Sequence, residues 1–434
     1  MSTRSQNLKL QIKGSIGFKA GAVLATFLAM PLMIKYLGVE SFGVWATMLG
    51  LITWLTLFDF GIGNGLKNKL AESLALGDAL QGRSYISTAY ALVGVCSLVL
   101  WSVFIVVDLW IDWQSIFNTH VITNEEFRVA LGWLSFFILF NFWLGLIQQV
   151  AYGLQKASWV VFGQFITNLL SLICVYILYL SFDASLLYLI FAYGLSLTIS
   201  NLLMTGYVWF KYALLRPTLG AFEKGFIKSL LSLGVKFFVI QLAMIFIFMV
   251  DKLIITQLMG PQFVTPYEVL FKLFGIFTML FSLITAALWT AYSDAYARGD
   301  YNWLKTTLSK QLKTVLLFSV AAMFLAAIGP WVVQLWIGQT FDLQHSVYFW
   351  FAAMVIINIW TATYAVIANA TGILNVQVAT AVIAAIINVP LSYWFIEKLG
   401  YGMEGVVIAT IISLSLYAVF GPVQVHRVLN GKTA

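Results

Sequence analysis

Few side chains in this sequence could do chemistry, and most of them stand inside long apolar runs. Lys19 and Lys236 follow similar residues, Ser15-Ile16-Gly17-Phe18 and Ser232-Leu233-Gly234-Val235, at the head of an apolar stretch. Glu268 and Lys272 are four residues apart, which puts both on one helix face. They read as a local ion pair, or as a cavity-lining pair with Glu268 as a proton site. Asp251 and Lys252 adjoin near the end of another apolar run, as an interface anchor, a gate or an ion site. Asp59 precedes Gly61, Gly63 and Gly65, with Asn64 and Lys67 beside them. That glycine run reads as a helix stop, or as a place where a backbone or head group approaches closely. A charge at the centre of a membrane span costs about 2.5–3.5 kcal/mol on insertion scales, so each of these groups needs a partner, a watery cavity or a route to the interface. Lys19 and Lys236 are either cations on opposite walls that grip a doubly charged anion, or side chains that snorkel to nearby head groups.

Other chemistry is sparse. His120, His345 and His426 lie near loops or the tail, and Cys96 and Cys174 sit inside apolar runs. Without an H-E-x-x-H or a Cys/His cluster, the sequence indicates neither a metal enzyme nor a disulfide framework. It carries no G-x-x-x-x-G-K-[ST] phosphate cradle and leaves no room for a nucleotide-binding domain. Amides recur at Gln164, Asn168, Gln241, Asn358, Asn369 and Asn388. They suit sugar hydroxyls or bonds between neighbouring helices.

The elements that position these residues follow from composition. Of 434 residues, 61% are hydrophobic and only 9% charged, with a mean hydropathy of +0.93. A soluble domain is about 25% charged, so soluble enzymes, secreted mini-proteins and nucleic-acid binders are excluded. The net charge of +7 fits basic loops on one side of a membrane. Apolar stretches predict an all-α integral membrane protein with 12 transmembrane helices, over 15–36, 40–63, 86–108, 128–151, 158–180, 185–210, 231–252, 266–290, 314–336, 346–369, 375–396 and 403–424. The polar N-terminus opens a full-length apolar segment and reads as a retained first helix, not a signal peptide. With that terminus inside, 17 of 24 basic residues fall on the same side, in 4–13, 67–83, 156, 211–228, 298–313 and 427–432, against Lys35, Arg128 and Lys398 outside. Both termini are therefore expected in the cytoplasm. The segment 291–313, with Trp303, Leu304, Leu308 and Leu312, predicts a short amphipathic helix on the cytoplasmic surface.

The halves repeat. Ser15–Lys19 matches Ser232–Lys236 at an offset of 217, and Glu72–Asp78 matches Asp294–Asp300 at 222. The difference fits a longer loop around Pro261–Pro266. Six spans per half return each half to the same side. The expectation is two parallel six-helix lobes around a central cavity, an N-lobe over 1–212 and a C-lobe over 229–434, with a basic linker at 213–228.

Tyr36-Leu37-Gly38-Val39-Glu40-Ser41-Phe42-Gly43 and the stretch from Leu57-Phe58-Asp59-Phe60-Gly61 through Gly77-Asp78 resemble Wzx-type polysaccharide (O-antigen) flippases. Tyr292-Ser293-Asp294-Ala295-Tyr296 and Gly299-Asp300 carry the counterpart in the second half. These flippases belong to the MOP (multidrug/oligosaccharidyl-lipid/polysaccharide) exporter superfamily, with multidrug MATE antiporters and lipid II flippases. The resemblance implies a non-enzymatic transporter of the bacterial inner membrane, serving O-antigen, lipopolysaccharide or other surface polysaccharide. Its cargo would be an undecaprenyl-diphosphate-linked oligosaccharide, moved from the cytoplasmic to the periplasmic leaflet by alternating access. No cofactor is implied beyond a coupling ion, H+ or Na+. Its partners would be the lipid-linked oligosaccharide, membrane lipids and the polysaccharide polymerase machinery, and no nucleic acid. Lys19, Lys236, Lys272, Asn64 and Lys67 are then candidates to hold the diphosphate. Asp59, Asp251 and Glu268 are candidates for ion coupling or gating. A MATE-like drug exporter would prefer an acidic, aromatic cavity to these lysines. A membrane enzyme of the same pathway would need a larger external loop than this chain has. The double variant Lys19→Ala with Lys236→Ala is expected to abolish transport while leaving membrane insertion intact; full activity at normal expression removes the clamp.

Overall fold

The structure, a computed structural model, describes the backbone of residues 3–59, 61–231, 242 and 250–430. It describes the side chains of these except 3–16, 57–59, 75, 286, 287, 290, 294 and 297. Among the described residues there is no strand. Eleven segments there are long and apolar enough to cross a membrane, and the chain is a multi-pass membrane protein. The expected seventh span, 231–252, lies largely outside the described residues.

The chain divides into two compact units, Met1–Phe238 and Val239–Ala434. The first holds α1 (Thr3–Leu37), α2 (Val39–Thr53), α3 (Ile62–Ala75), α4 (Ala79–Asp108), α5 (Trp113–Phe117), α6 (Asn124–Leu144), α7 (Leu146–Gly153), α8 (Ala157–Ser181), α9 (Leu186–Lys211) and α10 (Gly225–Leu231). The second holds α11, described over 250–259, then α12 (Val264–Ala297), α13 (Tyr301–Ile337), α14 (His345–Thr371), α15 (Asn375–Tyr393) and α16 (Glu404–Leu429). In the first unit α6 packs on α2, α4 and α9, and α9 packs on α8. In the second, α14 packs on α12, α13 and α16, and α16 packs on α15. The packing order is the same, which is what a true repeat requires.

The junctions repeat as well. Gly77 (φ 79°) and Gly299 (φ 72°) take the left-handed conformation that a Cβ disfavours. Each is followed by an aspartate that caps the next helix: Asp78 accepts from the Gln81 N–H at 2.8 Å, and Asp300 from the Trp303 N–H at 3.0 Å. Gly38 (φ 81°) and Gly260 (φ 104°) form another such pair, also 222 positions apart. The five extra residues of the second half therefore lie before Gly260, and not in the loop around Pro261–Pro266.

Two expectations need correction. The second span is not one helix over 40–63. The helix ends at Thr53, tightens into a 3-10 turn over Trp54–Asp59, and restarts as α3 after Gly61 (φ 81°). The expected surface helix within 291–313 is also absent as a separate element. Gly299 interrupts the chain for only three residues, so α12 and α13 run into the segment from both ends. At 37 residues α13 is about 55 Å long, well beyond an apolar slab of about 30 Å. Leu304 and Leu308 pack against Tyr292, Tyr364 and Ile367 instead of lipid. The stretch 213–228 is strapped to the first unit. Arg83 donates to the Arg216 carbonyl and to the Thr218 hydroxyl, both at 3.0 Å, and Phe226 stacks on Tyr85.

Helix approach depends on small residues, as expected where lipid tails give no hydrophobic gain between helices. Gly194 of α9 faces the Phe137 ring of α6, and Gly329 of α13 faces the Tyr348 ring of α14. A Cβ at either site would overlap the ring. Gly329→Leu is expected to destabilise the second unit by about 1–3 kcal/mol, the usual cost of overpacking. Thermal unfolding in detergent reads this, and an unchanged midpoint contradicts the packing.

Candidate functional site

The turn at Gly260-Pro261 reverses the chain between α11 and α12, so that Asp251-Lys252 on one helix meets Tyr267-Glu268 on the other. Lys252 Nζ lies 2.7 Å from Glu268 Oε2, and Lys272 Nζ lies 3.8 Å from Glu268 Oε1. The Tyr267 hydroxyl donates to Asp251 Oδ2 at 2.8 Å. From α16 the Thr410 hydroxyl donates to the same oxygen at 3.3 Å. From α15 the Asn388 amide nitrogen donates to Thr410 Oγ1 at 3.2 Å.

This chain of bonds decides which way the amide points. A hydroxyl has one proton, and that of Thr410 goes to Asp251, so it takes the Asn388 N–H on a lone pair. The amide oxygen is left over. Asp251 Oδ1 and Asn388 Oδ1 are both buried and without a hydrogen-bond partner among the described residues. Asp251, Asn388 and Thr410 are each 0% exposed. Two lysines and two acids balance in formal charge, which limits the cost of holding them in the bilayer. The exposure is unequal: the Lys252 side chain is 15% exposed and Lys272 32%.

The fold does not need these charges. At the offset of 222, Asp251, Lys252, Glu268 and Lys272 correspond to Ala29, Met30, Ala46 and Gly50 of the first unit, and Tyr267 to Trp45. Ala29, Met30, Trp45 and Ala46 are buried apolar residues of that unit's core. Apolar side chains of similar volume are generally as stabilising as a buried ion pair, or more so. Charge kept in one half only, with two acceptor oxygens unmatched, has the composition of a site for a proton or a small cation.

The structure thus joins Glu268 to Lys272, and it moves Asp251. The reading of Asp251-Lys252 as an anchor at the outer helix end is overturned. The helix continues to residue 259, about 12 Å further, and Asp251 has no surface. Lys19 lies half-buried on α1 with no ion pair among the described residues. Lys236 lies outside the described residues, as does the side chain of Asp59. Asn64 is exposed on α3, and the Lys67 ammonium stands 5.8 Å from the centre of the Tyr152 ring. In the glycine run, Gly61 supplies the left-handed turn and Gly65 lies against the Leu230 carbonyl, so one glycine serves the turn and one the packing. Asn168 donates to the Ala22 carbonyl and the Thr26 hydroxyl, tying α8 to α1. The acidic residues between α4 and α6 are occupied locally. Asp112 accepts from Ser115 and Asn124, which hold its carboxyl below the usual range, and Glu126 closes a capping box with Thr123.

Tyr267, Thr410 and the pairing of Lys252 are absent from the sequence reading. Helical spacing cannot show a contact across 16 positions. The available signal was two polar dipeptides at similar distances either side of Gly260-Pro261, the pattern of a helical hairpin.

Comparison with known proteins shows the family and the fold. The family model described as polysaccharide biosynthesis protein matches residues 16–293, and the MatE model matches 237–394. A putative O-antigen transporter of Salmonella typhimurium is 22% identical over 417 residues, 93% of this chain and 91% of that protein. A putative O-antigen export protein of Yersinia pseudotuberculosis is 19% identical, over 92% and 90% of the two chains. Among solved structures, the inward-facing conformation of a multidrug resistance MATE family transporter of the MOP superfamily superposes with a TM-score of 0.76. It is 17% identical, with 95% and 96% of the chains covered. The outward-facing conformation of such a transporter gives 0.68, with 97% and 95% covered at 16% identity. These structures share the fold. The first family model spans well over half of the sequence, so the chain belongs to the polysaccharide biosynthesis protein family, as a multi-pass MOP-superfamily transporter of Wzx type.

Proposed function

We propose that this protein moves an undecaprenyl-diphosphate-linked oligosaccharide from the cytoplasmic to the periplasmic leaflet of a bacterial inner membrane, driven by a gradient of H+ or Na+ through Asp251. The observation that carries the reading is the one-sided charge cluster. Family membership and the transporter relatives support a polysaccharide cargo. The basic bias of the loops supports cytoplasmic termini. Delivery to polysaccharide polymerase machinery on the far face completes the scheme, and no chemical step on the cargo is needed.

The proposed coupling is electrostatic. Facing Asp251 are Tyr267 and Glu268 from α12, Lys252 from its own helix, and the uncharged Asn388 and Thr410 from α15 and α16; Lys272 lies beyond Glu268. With Asp251 ionised the four charges cancel. A proton or cation on Asp251 leaves the group with a net charge of one positive unit. A positive group in a site of low dielectric favours a diphosphate. Lys272, the more exposed lysine and the looser partner of Glu268, is the one free to turn towards it. Lys19 and Lys236 act as the entry cations, and Asn64 and Lys67 as auxiliary contacts. Glu268 keeps the two lysines in place, and Asp59 serves as a gate.

In cells lacking the protein, lipid-linked oligosaccharide is expected to collect in the cytoplasmic leaflet, and wild-type protein should reverse this while a normally inserted Asp251→Asn variant should not. Unpolymerised units accumulating on the periplasmic face would favour a membrane enzyme, and an unchanged lipid pool would favour a drug exporter. The lysines should separate by role. Lys252→Met strips Glu268 of its near partner and should cost about 3–5 kcal/mol of stability, as for other broken buried pairs. Lys272→Met should leave unfolding nearly unchanged and weaken cargo binding. Equal destabilisation by both would contradict this division.

A further inference from the structure

Between α9 and α10 the chain makes two short turns, Ala213–Leu215 and Leu219–Ala221. Leu215 is buried in the core of the first unit, but Leu214 is 72% and Leu219 93% exposed. The turns are firmly held. Arg216 Nε donates to the Trp209 carbonyl at 2.9 Å, and Arg83 Nε donates to the Arg216 carbonyl. The Thr218 N–H donates to Ser87 Oγ and the Glu223 N–H to Thr88 Oγ1, both at 3.1 Å. Fixed, outward leucines beside cations suit the head-group layer of a bilayer, which buries apolar side chains and keeps charges wet. Aromatic rings mark that level nearby: the Lys211 ammonium stands 5.2 Å from the centre of the Trp159 ring and 5.8 Å from that of Tyr207.

Beside these turns lies an apolar groove of about 380 Å³, lined by Phe222 and, on α4, by Leu92, Val95, Cys96 and Val99. Glu223 is tied to Thr88, one turn before the first α4 residue of the groove, Ala91, so the turns meet the groove at that end. From Ala91 to Leu100 the groove follows α4 for about 13.5 Å. Half of an apolar slab of about 30 Å is about 15 Å. The groove therefore has the length of an acyl chain in one leaflet, and falls well short of an undecaprenyl tail. The turns beside it carry Arg216 and Lys224, both exposed, against one acid, Glu223. An apolar channel one leaflet long with cations beside one end is complementary to a lipid with an anionic phosphate.

We propose that an anionic phospholipid of the cytoplasmic leaflet binds here, with its phosphate on Arg216 and Lys224 and one acyl chain in the groove, while Leu214 and Leu219 sink into the head-group layer beside it. The site is separate from the cargo and from Asp251. The test is native mass spectrometry of the purified full-length protein in detergent, titrated with phosphatidylglycerol or with phosphatidylcholine of the same chains. Phosphatidylglycerol is expected to bind more tightly. An anionic membrane surface favours each nearby Lys or Arg by a factor of about five. Arg216→Gln with Lys224→Gln should therefore weaken the first bound phosphatidylglycerol by about 25-fold and leave phosphatidylcholine unchanged. Val95→Trp fills the groove from an exposed position and should also weaken phosphatidylglycerol, with both cations in place. The charge and groove variants are separate proteins, so misfolding of one leaves the other to decide. Equal binding of the two lipids, or unchanged phosphatidylglycerol affinity in either folded variant, would overturn the proposal. So would displacement of phosphatidylglycerol by an equal or lower concentration of undecaprenyl phosphate, which would make the groove a cargo site.

Discussion

A carboxylate among membrane-spanning helices must find a donor, a cation or a proton for each of its oxygens, and among the described residues Asp251 has donors for only one. Tyr267 and Thr410 both serve Oδ2. Oδ1 and the neighbouring amide oxygen of Asn388 have no partner among the described residues. The rest of the second unit is arranged around that shortfall. The Gly260-Pro261 turn sets α11 against α12, α15 and α16 bring Asn388 and Thr410, and Lys252, Glu268 and Lys272 balance the charge nearby. Such an arrangement is costly, because a charge at mid-span carries a penalty of about 2.5–3.5 kcal/mol on insertion scales. Packing does not require it, since the first unit fills the equivalent places with Ala29, Met30 and Ala46.

The two units show how one packing plan takes two kinds of interior. In the first, amides tie the helices together and are satisfied in sequence. Gln148 donates to Asn201, Asn201 to Asn141, and Asn141 to the Thr198 hydroxyl and the Phe137 carbonyl. Among the described residues none of these amide atoms is both buried and unmatched. In the second, the chain from Asn388 through Thr410 to Asp251 ends at both ends in acceptors without a partner among the described residues. A ligand shifts a conformational equilibrium only by its differential affinity for the states. An open buried network is where such a difference can arise, because its cost depends on whether the missing partner is present.

Much of the fold was legible in the sequence. Length and apolarity located the spans, and Gly77-Asp78 with Gly299-Asp300 marked a junction whose left-handed turn and aspartate cap recur in both units. Helix breaks were less legible. The 3-10 turn at Trp54–Asp59 lies in apolar sequence with no proline, and its only local sign is Gly61. The leucine stripe at 304–312 was visible as a face, but periodicity does not say whether a face meets lipid or protein. The site was half legible. Glu268 and Lys272 lie at helical spacing, whereas Tyr267, Asn388 and Thr410 reach Asp251 only through the tertiary packing of α12, α15 and α16. Asp251-Lys252 interrupts the apolar run and so reads as its end, whereas α11 continues to residue 259.

In the proposed mechanism, cation occupancy of Asp251 drives movement of an anionic lipid-linked cargo. The most direct test is purified protein in liposomes carrying lipid-linked oligosaccharide, with the leaflet of the sugar read by an impermeant lectin as a pH or Na+ gradient is imposed. The account predicts movement that follows the sign of one of the two gradients in wild type, and none of that dependence in Asp251→Asn. Gradient-driven movement of equal size in the two proteins would contradict it.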